Sequence, residues 1–264
     1  MRPVTDLPLP LRRRLKLLFT DVDDTLTTDG RLHAATYAAL ERLAAAGIAI
    51  VPVTGRNAGW TSAIATHWPV AGAIAENGGV WFVRDEQGRR TTHRYADAAT
   101  IVGHKARLTE LAQQALVAVP SAAPAGNPAF HETDVALDHA ENVGPLTDDE
   151  VATLVGVFED AGARTAVSSI HVHAWLGDFD KLVGAQCFAR DALGQGLDAF
   201  RGTSLFVGDS LNDAPLFGGI GASVGVANVA RVADRLPVPP GYVTQSAGGA
   251  GFVELAKLIL AARR

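Results

Sequence analysis

Three short apolar runs, far apart in this 264-residue chain, each end abruptly in residues that carry chemistry. Leu17-Leu18-Phe19 runs into Asp21, Asp23 and Asp24. Residues 48–53 run into Thr54-Gly55-Arg56, and Ser204-Leu205-Phe206-Val207 runs into Gly208-Asp209-Ser210-Leu211-Asn212-Asp213. Unbroken apolar runs of this length suit strands buried on both faces, the pattern of a parallel sheet covered by helices. In such a sheet ligands bind beyond the carboxyl ends of the strands, where these residues would converge. The acids after Phe19 allow two readings by themselves. Clustered carboxylates repel one another, and hard oxygen donors favour a divalent cation such as Mg²⁺. The other reading is a strand end followed by an Asx turn, which needs no metal.

Between the runs the pattern alternates. Residues 34–46 carry apolar side chains at helical spacing and stop at Gly47, residues 57–67 read as a second helix, and residues 71–75 as a third strand ending in Glu76-Asn77-Gly78-Gly79. This is the rhythm of a parallel sheet. The rhythm then changes. Residues 80–83 and 91–95 flank a turn at 85–88, suggesting a hairpin; 97–119 is a long helix; 120–128 is a Pro/Ala/Gly loop; 130–137 is a strand. Residues 147–161 form an amphipathic helix opened by a Thr147/Glu150 capping box, and 164–168 and 170–176 are two more strands. The α/β alternation returns with a helix at 181–193, followed by the strand at 204–207, a helix at 211–217, a strand at 222–226 and a helix at 251–262. The expected fold is α/β, a Rossmann-like parallel-sheet core with an inserted α+β cap. The expected division is core 1–83, cap 84–178 and core 179–264.

Composition narrows the function classes. A net charge of −5 argues against a general nucleic-acid binder. The one basic cluster, Arg12-Arg13-Arg14 with Lys16, reads as a solvated lead-in to the first strand. The N-terminus lacks the apolar stretch of a signal peptide, and no segment reaches the length of a membrane span. The single Cys187 cannot form an internal disulfide and reads as a small core residue. A cytoplasmic monomer or homodimer is expected.

The polar strand ends, in this order, resemble the haloacid dehalogenase (HAD) superfamily of phosphohydrolases. Asp21-Val22-Asp23-Asp24-Thr25 matches its Asp-x-Asp-x-Thr signature, Thr54 its second motif, Lys181 its third, and Gly208 through Asp213 its Gly-Asp-x-x-x-Asp motif. The insert between the second and third motifs resembles the α/β cap of the Cof-like branch, as does Asn77-Gly78-Gly79 before it. That branch includes sucrose-phosphate, trehalose-phosphate and mannosyl-3-phosphoglycerate phosphatases and eukaryotic-type phosphomannomutases. A second Asp two positions after the first separates this chain from the family's dehalogenases.

The resemblance implies a Mg²⁺-dependent phosphatase acting on a small phosphorylated metabolite, a sugar phosphate above all, through an aspartyl-phosphate. Asp21 would be the nucleophile and Asp23 the proton carrier. Thr54, with backbone groups near Asp24 and Gly55, would hold phosphoryl oxygens, with Arg56 and Asn77 also in the substrate pocket. Lys181 would neutralise charge shared by Asp21 and the phosphate. Asp21, the Asp23 carbonyl and Asp209 would hold Mg²⁺, with Asp213 a direct or water-mediated partner. Each has a plainer reading: Thr54 as a helix cap, Lys181 as a solvated first-turn lysine, Asp213 as a loop partner. A phosphomutase of the same fold and a phospho-accepting signalling module are the alternatives in function.

Substrate choice points to the insert. On a strand, His171, His173 and Trp175 share one face. That face suits a sugar, with the indole stacking on the ring and imidazoles bonding hydroxyls, or is an ordinary solvent-facing surface. His131, Glu132 and Asp134 are further candidate contacts.

Overall fold

A computed structural model describes residues 1–85 and 87–263. The first core segment contains β1 (Arg2–Pro3), α1 (Leu9–Arg14), β2 (Leu17–Thr20), α2 (Ala34–Ala45), β3 (Ala49–Pro52), α3 (Ala58–His67), β4 (Gly72–Ala75) and β5 (Val80–Arg84). The middle of the chain forms β6 (Arg90–Arg94), α4 (Ala98–Ala118), β7 (Ala123–Pro124), β8 (Asp134–Asp138), α5 (Asp148–Glu159), β9 (Arg164–Val167) and β10 (His171–Trp175). The rest is α6 (Lys181–Leu193), β11 (Ser204–Gly208), α7 (Ala214–Gly219), β12 (Ser223–Gly225), β13 (Tyr242–Val243) and α8 (Gly248–Ala261).

Six strands form one parallel sheet in the order β1-β13-β12-β11-β2-β3. A parallel bridge between Val53 and Ile74 attaches β4 beyond β3, and β4, β5 and β6 continue as an antiparallel sheet. Side chains alternate across the sheet. Leu17 and Phe19 face a core with Phe188 of α6 and Leu216 and Phe217 of α7. Leu18 faces the opposite core, with Leu40 and Leu43 of α2 and Phe252, Leu255 and Ile259 of α8. Burial on both faces explains the unbroken apolar runs. Truncating the fully buried Phe19 to Ala would cost about 3–5 kcal/mol.

The inserted layer has its own core. Its sheet, β7-β8-β10-β9, is antiparallel. Val172 and Ala174 of β10, with Val135 and Leu137 of β8, pack against Leu108 and Leu111 of α4 and Leu154 and Phe158 of α5. The alternate residues, His171, His173, Trp175, Asp134 and Asp138, lie on the other face and are all buried. A polar face this well covered is not a solvent-facing surface.

Most expected elements stand, with shifts at their ends. The Thr147/Glu150 capping box is present, and α6 spans the expected residues. Four details differ. The basic cluster forms the last turn of α1, anchored by the buried Leu11, and is not a plain lead-in. The strand expected at 130–137 begins only at Asp134, because Pro128–Phe130 makes a 3₁₀ turn. The helix expected at 211–217 divides into a 3₁₀ turn at Leu211–Asp213 and α7, with Pro in the first turn of α7. The loop at 120–128 contributes the short edge strand β7. The hairpin forms between β5 and β6, with Glu86 of its turn outside the described residues.

Candidate active site

Adjacent strands in register bring the first and last motifs together. Thr20 of β2 lies opposite Val207 of β11, and Asp21 N–H donates to the Val207 carbonyl at 2.9 Å, extending the ladder by one residue. Beyond it the chain folds back, with Leu26 N–H and Thr27 N–H donating to the Val22 carbonyl at 2.9 and 3.0 Å. Asp24 takes a left-handed conformation with φ 54°, which Asp tolerates better than most residues.

Lys181 opens α6, whose N-cap is Asp180, accepting from Leu182 N–H and Val183 N–H at 2.8 and 2.9 Å. It is 1% exposed, and its Nζ donates to Asp21 Oδ1 and Asp213 Oδ1, each at 2.7 Å. A solvated first-turn lysine is thereby excluded. Asp213 Oδ2 accepts from Asp209 N–H and Ser210 N–H at 2.9 and 3.1 Å, so protein donors occupy both its oxygens. Asp213 thus orders the acidic loop and fixes the lysine. Asp209 accepts from Thr25 Oγ1 at 2.9 Å and from Asn228 Nδ2 at 2.8 Å, and Asn228 Nδ2 also reaches the Asp24 carbonyl at 3.1 Å.

Asp21, Asp209 and Asp213 each place an oxygen within 4.8 Å of the others, a cluster that could hold a metal ion. One ammonium shared by two of three buried carboxylates leaves negative charge uncompensated. Burial first, then Asp213 and Asp23, push the Asp21 carboxyl up to about 8 against the pull of Lys181. Burial and the neighbouring Asp21 raise Asp209 well above the usual range. Lys181 also shifts upward, which for a lysine means that its charge is favoured where that of Asp21 is not. Burial opposes its charge, but it sees two carboxylates while each carboxylate sees half a cation, and its pKa rises. An all-oxygen donor set of this kind fits a hard divalent cation.

Thr54 is buried, and its Oγ1 accepts from Arg56 N–H at 3.0 Å; the N-cap of α3 is Asn57, whose Oδ1 accepts from Trp60 N–H at 2.8 Å. Arg56 grips Asp23 with a fork, Nε to Oδ2 and Nη2 to Oδ1, both 2.9 Å. The same guanidinium reaches Glu141 Oε1 of the insert at 2.7 Å, and Glu141 Oε2 lies 2.9 Å from His171 Nε2. The bond from His171 and the pairing with Arg56 hold the Glu141 carboxyl down to about 2 despite partial burial. Arg56 therefore ties the second acid of the first motif to the insert.

His173 comes down from the insert onto Gly55. A Cβ at Gly55 would lie 2.7 Å from His173 Nε2 and 3.3 Å from Asn77 Nδ2, so only glycine leaves room for the imidazole. Asn77, also left-handed at φ 52°, is 1% exposed; its Oδ1 accepts from Asn212 Nδ2 at 3.0 Å, and its Nδ2 is a buried donor without a partner among the described residues. Asp21, Asp23, Gly55, Arg56, His171 and His173 line one nearly closed cleft of about 10 Å³. Trp175 lies apart from it. Its Nε1 donates to the Phe179 carbonyl at 3.0 Å and its ring stacks on Phe179, where the chain returns to the core.

The comparisons with known proteins agree with this geometry. Residues 18–120 match the sequence model of the haloacid dehalogenase-like hydrolases. Over that stretch the chain is similar to that family. The fold is shared over nearly the whole length with a Thermoplasma acidophilum protein (18% identity, 93% of this chain and 98% of that one covered, TM-score 0.70). It is shared likewise with a HAD/COF-like hydrolase from Plasmodium vivax (16%, 94% and 96%, 0.68). The sucrose-phosphatase from Synechocystis, solved with sucrose and phosphate, is a third such structure (18%, 94% and 98%, 0.64). No curated protein matches the sequence.

The match to a hydrolase family supports an enzyme, and several residues around the cleft carry no motif of their own in the sequence. Glu76, wholly buried, accepts from Ala58 N–H at 2.8 Å, Glu132 N–H at 2.9 Å and both Thr133 N–H and Thr133 Oγ1 at 2.6 Å. It pins α3 of the core to the insert. The signal available was a charged residue placed directly after an apolar strand. Glu141 and Asn228 had no comparable signal, because each acts through a contact with a residue remote in sequence. Among the described residues no helix is long and apolar enough to cross a membrane.

Proposed function

We propose that this hydrolase is a divalent-cation-dependent phosphatase that cleaves a small phosphate monoester, a sugar phosphate in the leading case, through a phosphorylated Asp21. The observation carrying the reading is the placement of Lys181 between Asp21 and Asp213, with Asp209 beside them, at the carboxyl ends of two adjacent parallel strands. That the solved sucrose-phosphatase shares this fold supports a sugar phosphate as substrate class.

Asp21 Oδ1 is held by Lys181, while Oδ2 accepts no hydrogen bond among the described residues and is the nucleophilic oxygen. It attacks phosphorus, the ester P–O bond breaks, and the leaving oxygen takes a proton from Asp23. Asp23 then removes a proton from water, the water oxygen attacks phosphorus, and Asp21 is regenerated with release of phosphate. To act in this way Asp23 must free an oxygen from the Arg56 fork, and substrate entry is the natural trigger. Thr54 and the backbone of Asp24 and Gly55 bind the phosphoryl oxygens. Asp21, Asp209 and the Asp23 carbonyl would hold Mg²⁺, with Asp213 behind them; when bound, the cation supplies charge neutralisation at the phosphoryl group. The insert, residues 84–178, serves as the cap that excludes water.

A screen of phosphorylated metabolites, scored for free phosphate with and without EDTA, tests the reading. Phosphate release that EDTA abolishes and Mg²⁺ restores supports it; isomerised product without free phosphate would make the enzyme a mutase.

A further inference from the structure

The polar face of the cap sheet carries a hydrogen-bonded chain with no assigned role. Asp134 is wholly buried and sits between two imidazoles. Its Oδ1 bonds His131 Nδ1, and its Oδ2 lies 3.1 Å from His173 Nδ1. His131 and His173 are themselves 6% and 1% exposed. The far end of the chain, His173 Nε2, faces Gly55 at the cleft.

We propose that Asp134 and His131 are positioning residues that hold His173 as a neutral imidazole with its Nε2 lone pair bare above Gly55, so that the cap offers the leaving group a fixed hydrogen-bond acceptor. The inference rests on the phosphatase reading for what occupies the cleft, but not for the state of the imidazole. A carboxylate can only accept, so the His173 nitrogen facing it carries the proton, and in a neutral ring the other nitrogen is then bare. Charge balance keeps the ring neutral. One carboxylate offsets one imidazolium, and His131 is the better placed. Burial disfavours its charge, but Asp134 and Glu76 more than offset this and its pKa rises. Burial first, and then the repulsion of His171 and His131, bring His173 down to about 4 despite Asp134. Asp134 itself would be pushed up by burial but is held well below the usual carboxylate range by the two histidines.

The other charged groups around this chain are already engaged. Lys105 of α4 donates to the Asp134 carbonyl at 2.6 Å. Glu76 is saturated by backbone and hydroxyl donors, and Glu141 bonds His171. Glu76, His131 and Asp134 lie close enough for a metal, but these donors occupy the carboxylate lone pairs a cation would need.

A bare imidazole nitrogen repels a phosphoryl oxygen and accepts from a hydroxyl. Asn77 Nδ2, the unpartnered buried donor, converges on the same point above Gly55. A hydroxyl, alone among common substrate groups, can donate to His173 and accept from Asn77 together. The chain therefore selects a leaving group with a hydroxyl near the ester oxygen.

Nitrogen-15 NMR of the imidazoles in the substrate-free protein at pH 7.5 reads the state of His173 directly. The expected result is a proton on Nδ1 only. Asp134→Asn, whose amide accepts from only one imidazole, is expected to redistribute the His173 tautomers. It is also expected to lower, by about tenfold or more, the ratio of kcat/KM for glycerol 1-phosphate over phenyl phosphate. If Asp134→Asn does not fold, His131→Phe serves, since it leaves Asp134 to His173 alone and is expected to protonate Nε2. A wild-type His173 protonated on Nε2, or a selectivity ratio unmoved in a folded variant, overturns the inference. Failure of the wild type to release phosphate from either ester overturns the phosphatase reading instead, and the NMR measurement still decides the positioning role.

Discussion

Lys181 Nζ stands 2.7 Å from an oxygen of Asp21 and 2.7 Å from an oxygen of Asp213, out of contact with solvent. Lys181→Met keeps much of the side-chain volume but strands two buried carboxylates. Removing one partner of a buried ion pair costs about 3–5 kcal/mol. The variant is therefore expected to unfold at markedly lower denaturant and to lose at least about a hundredfold in kcat. Denaturation curves and phosphate-release kinetics, measured side by side, check both effects. Full stability with full activity would mean that the lysine is not the counter-ion of the site.

The uncompensated carboxylates predict a dependence of stability on pH. Asp21 is raised from 3.8 to about 8 in the folded, metal-free protein. Between those values the unfolded chain has lost the proton that the folded chain retains, so stability falls as pH rises toward 8. His173 acts oppositely at lower pH. Its depressed value, about 4 against 6.5, makes stability fall as pH drops from 6.5 toward 4. Between about 6.5 and about 8 the His173 effect is over, and the raised Asp209 and His131 act in the same direction as Asp21. Thermal unfolding in EDTA is expected to show Tm falling across that window in the wild type and a flatter profile in Asp21→Asn. Added Mg²⁺ is expected to stabilise most at the upper end.

Gly55 and His173 occupy one another's space. Gly55→Ala places a methyl 2.7 Å from His173 Nε2 and must push the insert's imidazole away. Since the cleft is nearly closed, about a tenfold loss of kcat/KM is expected for a displacement of this size. The double variant Gly55→Ala, His173→Ala removes the clash. Its stability is expected to exceed the sum of the two single effects, and additive behaviour would refute the contact.

Arg56 joins Asp23 to Glu141 of the inserted layer. Glu141→Gln removes the carboxylate charge that pairs with Arg56 and keeps the side chain's shape. It is expected to weaken closure and raise KM several-fold with a smaller effect on kcat, and steady-state kinetics at two salt concentrations would show it. The pair is partly exposed, so only a modest stability change, below about 1 kcal/mol, is expected.

Much of this was legible in the residues themselves. The runs before Asp21, Thr54 and Asp209 read as buried parallel strands because helices cover both faces of the sheet, and adjacency of β2 and β11 then brings Asp21 and Asp209 together. The strand period placed His171, His173 and Trp175 on one face, but not their fates. Only the close approach of His173 to Gly55, the bond of His171 to Glu141 and the aromatic stack on Phe179 separate the two histidines from the tryptophan. Glu76 was marked only by its place after an apolar strand, and Glu141 was not legible, because its partner Arg56 lies 85 positions away. Long-range pairing of this kind leaves no local pattern.

The most direct measurement is phosphate release by Asp21→Asn in the presence of Mg²⁺, on a substrate that the wild type hydrolyses, with circular dichroism to confirm the fold. The mechanism proposed here predicts a folded protein that releases no phosphate above background. Release at a rate like that of the wild type would contradict it.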